Sequence, residues 1–247
     1  SIHCMTNQIS IIIPVLNEEA HLGRLLQHLE DIAAADYAHE IIVVDGGSSD
    51  GSQQIVAGFP KVRLLKSPKG RAKQMNLGAQ HASGELLYFL HADTFPPQGF
   101  DRQIIAKAQL GHAGCFRLKF DHPNHFLLKL APLVTRFHSN WFRGGDQSLF
   151  IRKKQFEALN GFNEAYLVYE DVEFIERIYQ QYDFEIIKDY VTTSARKFER
   201  IGTLRLYLYF LMIHIKYRQG VGPVALSEYY KWKIGQTKAK KQFHLSN

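Results

Sequence analysis

Four apolar runs in the first ninety residues, Ile9–Val15, Glu40–Asp45, Val62–Lys66 and Glu85–Leu90, each stop at a polar turn. A strand wetted on one face alternates apolar with polar residues. Continuous runs such as ISIII and EIIVV belong instead to strands covered on both faces. Helical spacing fills the intervals: Glu18–Ala34 with Leu22, Leu25, Leu26 and Leu29 on one stripe, Ser49–Ala57 with Ser49 as its cap, and Gly70–Ala82. Strand and helix alternating four times predict a doubly wound, mostly parallel α/β sheet with right-handed crossovers.

After Pro96-Pro97 the alternation weakens. Gln98–Leu110 reads as a helix, Gly114–Phe120 and Ser148–Arg152 as strands, Asp171–Gln181 as a helix and Phe184–Ile187 as a strand, while His122–Asn140 is apolar without a clean period. At 247 residues and 45% hydrophobic content, the chain has material for one large domain or two small ones. Two cysteines, Cys4 and Cys115, with no CxxC pair argue against a disulfide framework or thiolate zinc site and for a reducing, cytoplasmic setting. The opening SIHCMTNQ lacks the charged start and apolar stretch of a signal peptide.

Charge is uneven. From Thr193 onward eleven Lys or Arg face only Glu199 and Glu228, so the tail carries +9 and everything before it −3 of the overall +6. Within that tail, Leu204–Arg218 has an apolar centre of about a dozen residues, against about twenty for a membrane span. Pro223–Lys233 adds a second helix mixing Tyr229, Tyr230 and Trp232 with Lys231 and Lys233. Two readings stand: a helical pair packed on the domain or a second subunit, or peripheral contact with the anionic inner face of the cell membrane.

Four acidic or polar clusters lie at predicted element ends: Asn17-Glu18, Asp45, Asp93 and Glu170-Asp171. Open α/β sheets bind ligands beyond the carboxyl ends of their strands. A carboxylate there can accept from a base or ribose, another can hold a divalent ion against a diphosphate, and a third can take a proton from an attacking hydroxyl. Each has a plainer reading. Asp45 and Ser48 suit a helix cap, Glu18 first-turn dipole compensation, Asp93 a turn, Asp171 a helix start, and Arg71 with Lys73 a solvated helix face. His122, His125 and His138 show no metal-ligand spacing.

In this order and spacing, the motifs resemble those of family 2 glycosyltransferases of the GT-A (nucleotide-diphospho-sugar transferase) fold. PVLNEE (Pro14 to Glu19) resembles the family's opening motif, VVDGGSSDGS (Val44 to Ser52) its nucleotide segment and FLHAD (Phe89 to Asp93) its metal-binding DXD. GGDQSLFIRK (Gly144 to Lys153), GFNE (Gly161 to Glu164) and EDVEF (Glu170 to Phe174) match its acceptor side. GRAKQMNLGA (Gly70 to Ala79) and SARKFER (Ser194 to Arg200) narrow the likeness to small, single-domain bacterial members.

The resemblance implies a nucleotide-sugar half over 1–95, an acceptor-side half of the same domain over 96–200, and a basic helical segment over 201–247. It places Pro14, Asn17, Glu18, Asp45, Arg71 and Ala92 about the donor, with Asp45 on uracil N3–H and Arg71 on the diphosphate. Asp93 and His91 fall to a Mn²⁺ or Mg²⁺ ion, Glu170, Asp146 and Gln147 to the acceptor side, and Asp171 to the base of an inverting, UDP-sugar-dependent transfer. Trp141 suits a sugar-stacking ring or a core aromatic. The acceptor is a glycan, a lipid-linked carrier or a small molecule.

His91 replaces the first carboxylate of DXD, and its imidazole suits Mn²⁺ better than Mg²⁺. Other readings fit less well. A nucleotidyltransferase needs a basic Gly-rich loop where PVLNEE is acidic, and a dinucleotide dehydrogenase needs the absent G-x-G-x-x-G. A nucleic-acid binder would have its charge confined to the tail. A binding module with decayed catalysis, for a sugar nucleotide or a membrane surface, is opposed by the presence of both Asp93 and Asp171.

Overall fold

The structure, a computed structural model, describes residues 8–32, 39–135 and 148–233. Its first half runs β1 (Ile9–Val15), α1 (Glu19–Ile32), β2 (His39–Asp45), α2 (Ser52–Ala57), β3 (Val62–Lys66), α3 (Arg71–His81) and β4 (Leu86–Phe89). These strands lie parallel in the order β3-β2-β1-β4, as the alternation predicts. β1 therefore sits between β2 and β4. The crevice at its carboxyl end is the switch point where crossovers leave in opposite directions.

Every residue of β1 is buried, because the sheet is covered on both faces. Ile9, Ile11, Ile13 and Val15 point into a core shared with the Leu22, Leu25, Leu26 and Leu29 stripe of α1. Ile12 points into a second core, with Met75 and Ala79 of α3. The period of two along the strand sorts these side chains between the layers.

The second half continues the sheet. It comprises β5 (Thr94–Phe95), α4 (Phe100–Gln109), β6 (Ala113–Phe120), α5 (Phe126–Lys129), α6 (Ala131–Val134), β7 (Leu149–Arg152), α7 (Lys153–Ala158), α8 (Glu170–Gln181), β8 (Phe184–Thr193), α9 (Arg196–Ile201) and α10 (Thr203–Arg218). Residues 223–233 form a last helix, α11. β7 pairs antiparallel with both β4 and β6, and β8 runs parallel to β6. The eight-stranded order is β3-β2-β1-β4-β7-β6-β8-β5.

Three expectations need correction. β8 runs on past Ile187 to Thr193, because a register shift at Phe116/Arg117 lets Lys188 and Asp189 be passed over and pairing resume at Tyr190. Helix α2 starts at Ser52 with Gly51 as its cap, since Ser49 turns to the other loop, donating its amide (2.8 Å) and hydroxyl (3.4 Å) to Asn17 Oδ1. Helix α9, unforeseen in the sequence, occupies most of SARKFER. A third core, with Leu118, Phe120, Leu128, Phe198, Ile201 and Leu206, gathers β6, α5, α9 and α10.

Candidate active site

Two loops, after β1 and β2, meet at the switch point and are stitched to each other. The Asn17 amide donates to Ser48 Oγ (2.9 Å), the Glu18 amide to Ser52 Oγ (2.9 Å), and the Gly51 amide to Glu19 Oε2 (2.7 Å). Asn17 takes a left-handed φ of 58°, a conformation Asn tolerates better than most residues. Asp45, 1% exposed, turns its carboxylate onto its own loop. Oδ2 accepts from the Gly47 amide (3.1 Å) and from Gln53 Nε2 (2.9 Å), and Oδ1 shares the Ser48 amide (3.2 Å). Gly47 has φ 92°, which is why a glycine stands there.

Beneath both loops lies a residue to which sequence reasoning assigned no role. Gln74 of α3, 2% exposed, donates through Nε2 to the Val15 and Val44 carbonyls at 2.8 and 2.7 Å, tying the ends of β1 and β2 together. A Cβ on Gly46 would stand 2.9 Å from Gln74 Cδ, so the first glycine of DGG makes room for that side chain. The available signal was a polar residue on the inward face of GRAKQMNLGA.

Across the switch point, Arg196 at the start of α9 joins the first loop to the segment after β4. Its Nη2 donates to Glu18 Oε1 and Oε2 (2.7 and 2.5 Å) and lies 3.3 Å from Asp93 Oδ2. Partial burial works against the guanidinium charge, and the two carboxylates more than offset it. SARKFER contributed to the resemblance, but nothing in it singled out Arg196.

A second charged group lies beside the first. Arg71, opening α3, places Nε 2.6 Å from Oε1 of Glu170, opening α8. The contact is close but poorly aligned for a hydrogen bond, and both Glu170 oxygens are buried without a well-formed one among the described residues. The contact is an ion pair. Burial pushes the Glu170 carboxyl up, Arg71 opposes that, Asp171 adds to it and a protonated His91 opposes it. Segment 91–93 thus runs between the two groups. Asp171 sits half-buried in the first turn of α8, behind Tyr169 in a left-handed conformation (φ 73°). The Tyr169 hydroxyl is hydrogen-bonded to His214 Nδ1 of α10.

Asn17, Glu18, Asp45, Arg71, His91, Asp93, Glu170 and Asp171 therefore all gather at the carboxyl edge of β1, β2 and β4 or on the helix start facing it. Pro14 and Ala92 are both buried, Ala92 in the first core. Trp141, Asp146 and Gln147 lie outside the described residues. Among the described residues no three His, Cys, Asp or Glu side chains stand together as metal ligands.

Residues 10–160 match the family model described as glycosyl transferase family 2. The chain belongs to glycosyl transferase family 2. Among curated members, it is 34% identical over 114 residues to the undecaprenyl-phosphate 4-deoxy-4-formamido-L-arabinose transferase of Shewanella sediminis (strain HAW-EB3), covering 42% of this chain and 34% of that protein. It is 32% identical over 96 residues to the dolichyl-phosphate beta-glucosyltransferase ALG5C of Trichomonas vaginalis (strain ATCC PRA-98 / G3), covering 34% and 28%. The chain spans about a third of the length of the curated relatives it matches. Its fold is that of GT-A enzymes. The mannosyltransferase PcManGT of Pyrobaculum calidifontis, solved with GDP-Man and Mn²⁺, superposes with a TM-score of 0.62 at 20% identity, over 94% of this family 2 chain and 73% of that one. TarS 1-349 of S. aureus, solved with UDP, gives 0.61 at 17%, over 85% and 65%.

Proposed function

We propose that the chain transfers a sugar from a UDP-linked donor to an acceptor hydroxyl with inversion at the anomeric carbon, Asp171 being the base. The observation that carries this reading is the 2.6 Å pair of Arg71 and Glu170, which holds the start of α8, and hence Asp171, against the donor-side helix α3. A base is useful only where it meets both the attacking oxygen and the carbon under attack.

The stitched loops seat the nucleoside. Asp45 Oδ1, which carries only the longer Ser48 contact among the described residues, is the oxygen left to accept uracil N3–H. Asp171 takes the acceptor proton as the acceptor oxygen bonds to the anomeric carbon. The carbon–oxygen bond to the diphosphate breaks, and the nucleoside diphosphate departs with the electron pair. Arg71 and Arg196 place positive charge beside that departing group. The residues present fit an ion that comes with the donor. Asp93, with His91 beside it, would hold Mn²⁺ or Mg²⁺, a carboxylate and an imidazole being donors such ions accept together with phosphate oxygens. When bound, that ion supplies charge stabilisation of the leaving diphosphate. Two relatives are named for undecaprenyl-phosphate and dolichyl-phosphate transfer; a lipid phosphate would attack through an oxygen that is already anionic, so with such an acceptor Asp171 would not be needed as base.

Calorimetric titration with UDP, GDP and ADP, each with Mn²⁺ and again with EDTA, tests the donor reading. The expected result is tightest binding for UDP, weakened by EDTA. Failure of all three nucleotides to bind would remove the donor site, and with it the proposal.

A further inference from the structure

We propose that α10 and α11 form a docking surface for an anionic membrane. The inference goes beyond sugar transfer and holds whatever the acceptor is. Nine of the eleven described large apolar residues that are exposed lie on residues 126–133 or on α10 and α11, leaving only Leu110 and Leu167 elsewhere. On α10 they fall at helical spacing: Leu204 (60% exposed), Leu208 (58%), Leu211 (43%) and Met212 (39%). Steps of four, seven and eight residues put them on one face.

The opposite face is held firmly. Leu206, Ile213 and His214 are buried, Tyr169 bonds to His214, and the Tyr217 hydroxyl donates to Glu176 Oε2 at 3.0 Å beside an Arg218–Glu176 pair at 3.1 Å. With its polar anchors turned inward, the helix leaves its leucines facing out. An apolar stripe of this kind needs an occupant.

Charge identifies that occupant. α10 and α11 carry Arg205, Lys216, Arg218, Lys231 and Lys233 against Glu228 alone, with Arg218 paired to Glu176 of α8. Cations and aromatics interleave on α10 and α11: Lys216 Nζ stands 4.9 Å above the Tyr229 ring, and Lys233 Nζ 4.2 Å above the ring of Trp232, itself 54% exposed. A second copy of the chain would set this positive surface against itself, whereas anionic headgroups complement it and admit the leucines below them. No described helix is long and apolar enough to cross a membrane, so the contact is peripheral. Through Tyr169 and His214, the docked helix also abuts the turn that presents Glu170 and Asp171.

The test is cosedimentation of the full chain with phosphatidylcholine vesicles with and without phosphatidylglycerol, at low and high salt. Binding should require phosphatidylglycerol and fall with salt. Leu208→Glu with Leu211→Glu should lower partitioning by about tenfold or more. Lys231→Gln with Lys233→Gln should lower it several-fold on anionic vesicles alone. A tryptophan emission shift on binding should be reduced in Trp232→Phe. UDP titration of each variant reports an intact fold and keeps this test separate from the transfer reading. Absence of binding to anionic vesicles, or unchanged binding by the double-Glu variant, would overturn the proposal. So would a dimer in sedimentation velocity that the double-Glu variant dissociates, since the face would then belong to a second copy.

Discussion

The two walls of the site are built from different interactions. The donor wall, loops 15–19 and 45–52, is stitched by backbone amides donating to Ser48, Ser52, Asp45, Asn17 and Glu19, with Gln74 holding both strand ends from below. The facing wall, α8 and α9, reaches the donor side through two charged bridges, Arg71–Glu170 and Arg196 to Glu18 and Asp93. Several short bonds between the two loops, onto hydroxyl, amide and carboxylate oxygens, fix a shape before any ligand arrives. Bridges made by arginines about 40% exposed can exchange partners when a diphosphate enters. On the proposed function, one wall is preorganised for the nucleoside, and the other is poised to change partners during the reaction.

The largest expected effect breaks the facing wall at its chemical group. Asp171→Asn should lower kcat by about two to four orders of magnitude, the usual share of a general base, while UDP affinity stays within about twofold. Single-turnover transfer beside calorimetry separates the two. Full turnover in this variant would assign the base elsewhere, and would suit a phosphate nucleophile that needs no deprotonation. Arg196→Ala should come next, weakening UDP about tenfold as one charge-assisted contact to the diphosphate is lost. Arg196→Lys should recover little, because an ammonium is a compact point charge without the planar guanidinium that meets diphosphate oxygens in pairs. Thermal stability should barely move, the arginine being 42% exposed. Unchanged UDP affinity in Arg196→Ala would make this bridge structural and the contrast between the walls weaker.

The two walls also differed in how plainly the sequence announced them. Ile9–Val15 and Val62–Lys66 match the structure residue for residue: the first because a strand covered on both faces has no option but continuous apolarity, the second as a short apolar stretch between turns, an edge strand with Arg63 and Lys66 exposed. The carboxylates could be picked out because they follow those runs. Gln74 could not be, because its role depends on a crossover that sets α3 beneath two strand ends from distant parts of the chain. Arg196 lies 178 residues from Glu18, a pairing that local pattern cannot anticipate. Ser49 misled for a related reason: its amide and hydroxyl both turn across the loops to Asn17, and the helix begins three residues later. What is local in energy was readable, and what is assembled across the sheet was not.

The smallest effect tests the donor wall, at Gln74. Gln74→Leu keeps most of the side-chain volume and removes both donors, leaving the Val44 carbonyl without that partner and the Val15 carbonyl with the Gly46 amide at 2.8 Å. Burying an acceptor without its donor costs about 1–3 kcal/mol, and the change should appear as a lower urea midpoint with an unaltered slope. UDP affinity should fall only a few-fold, because the cross-loop bonds of Asn17, Ser48 and Ser52 persist. Should Gln74→Leu instead abolish nucleotide binding while leaving the urea midpoint in place, the loops would owe their shape to Gln74 alone. The donor wall would then be as exchangeable as the facing one.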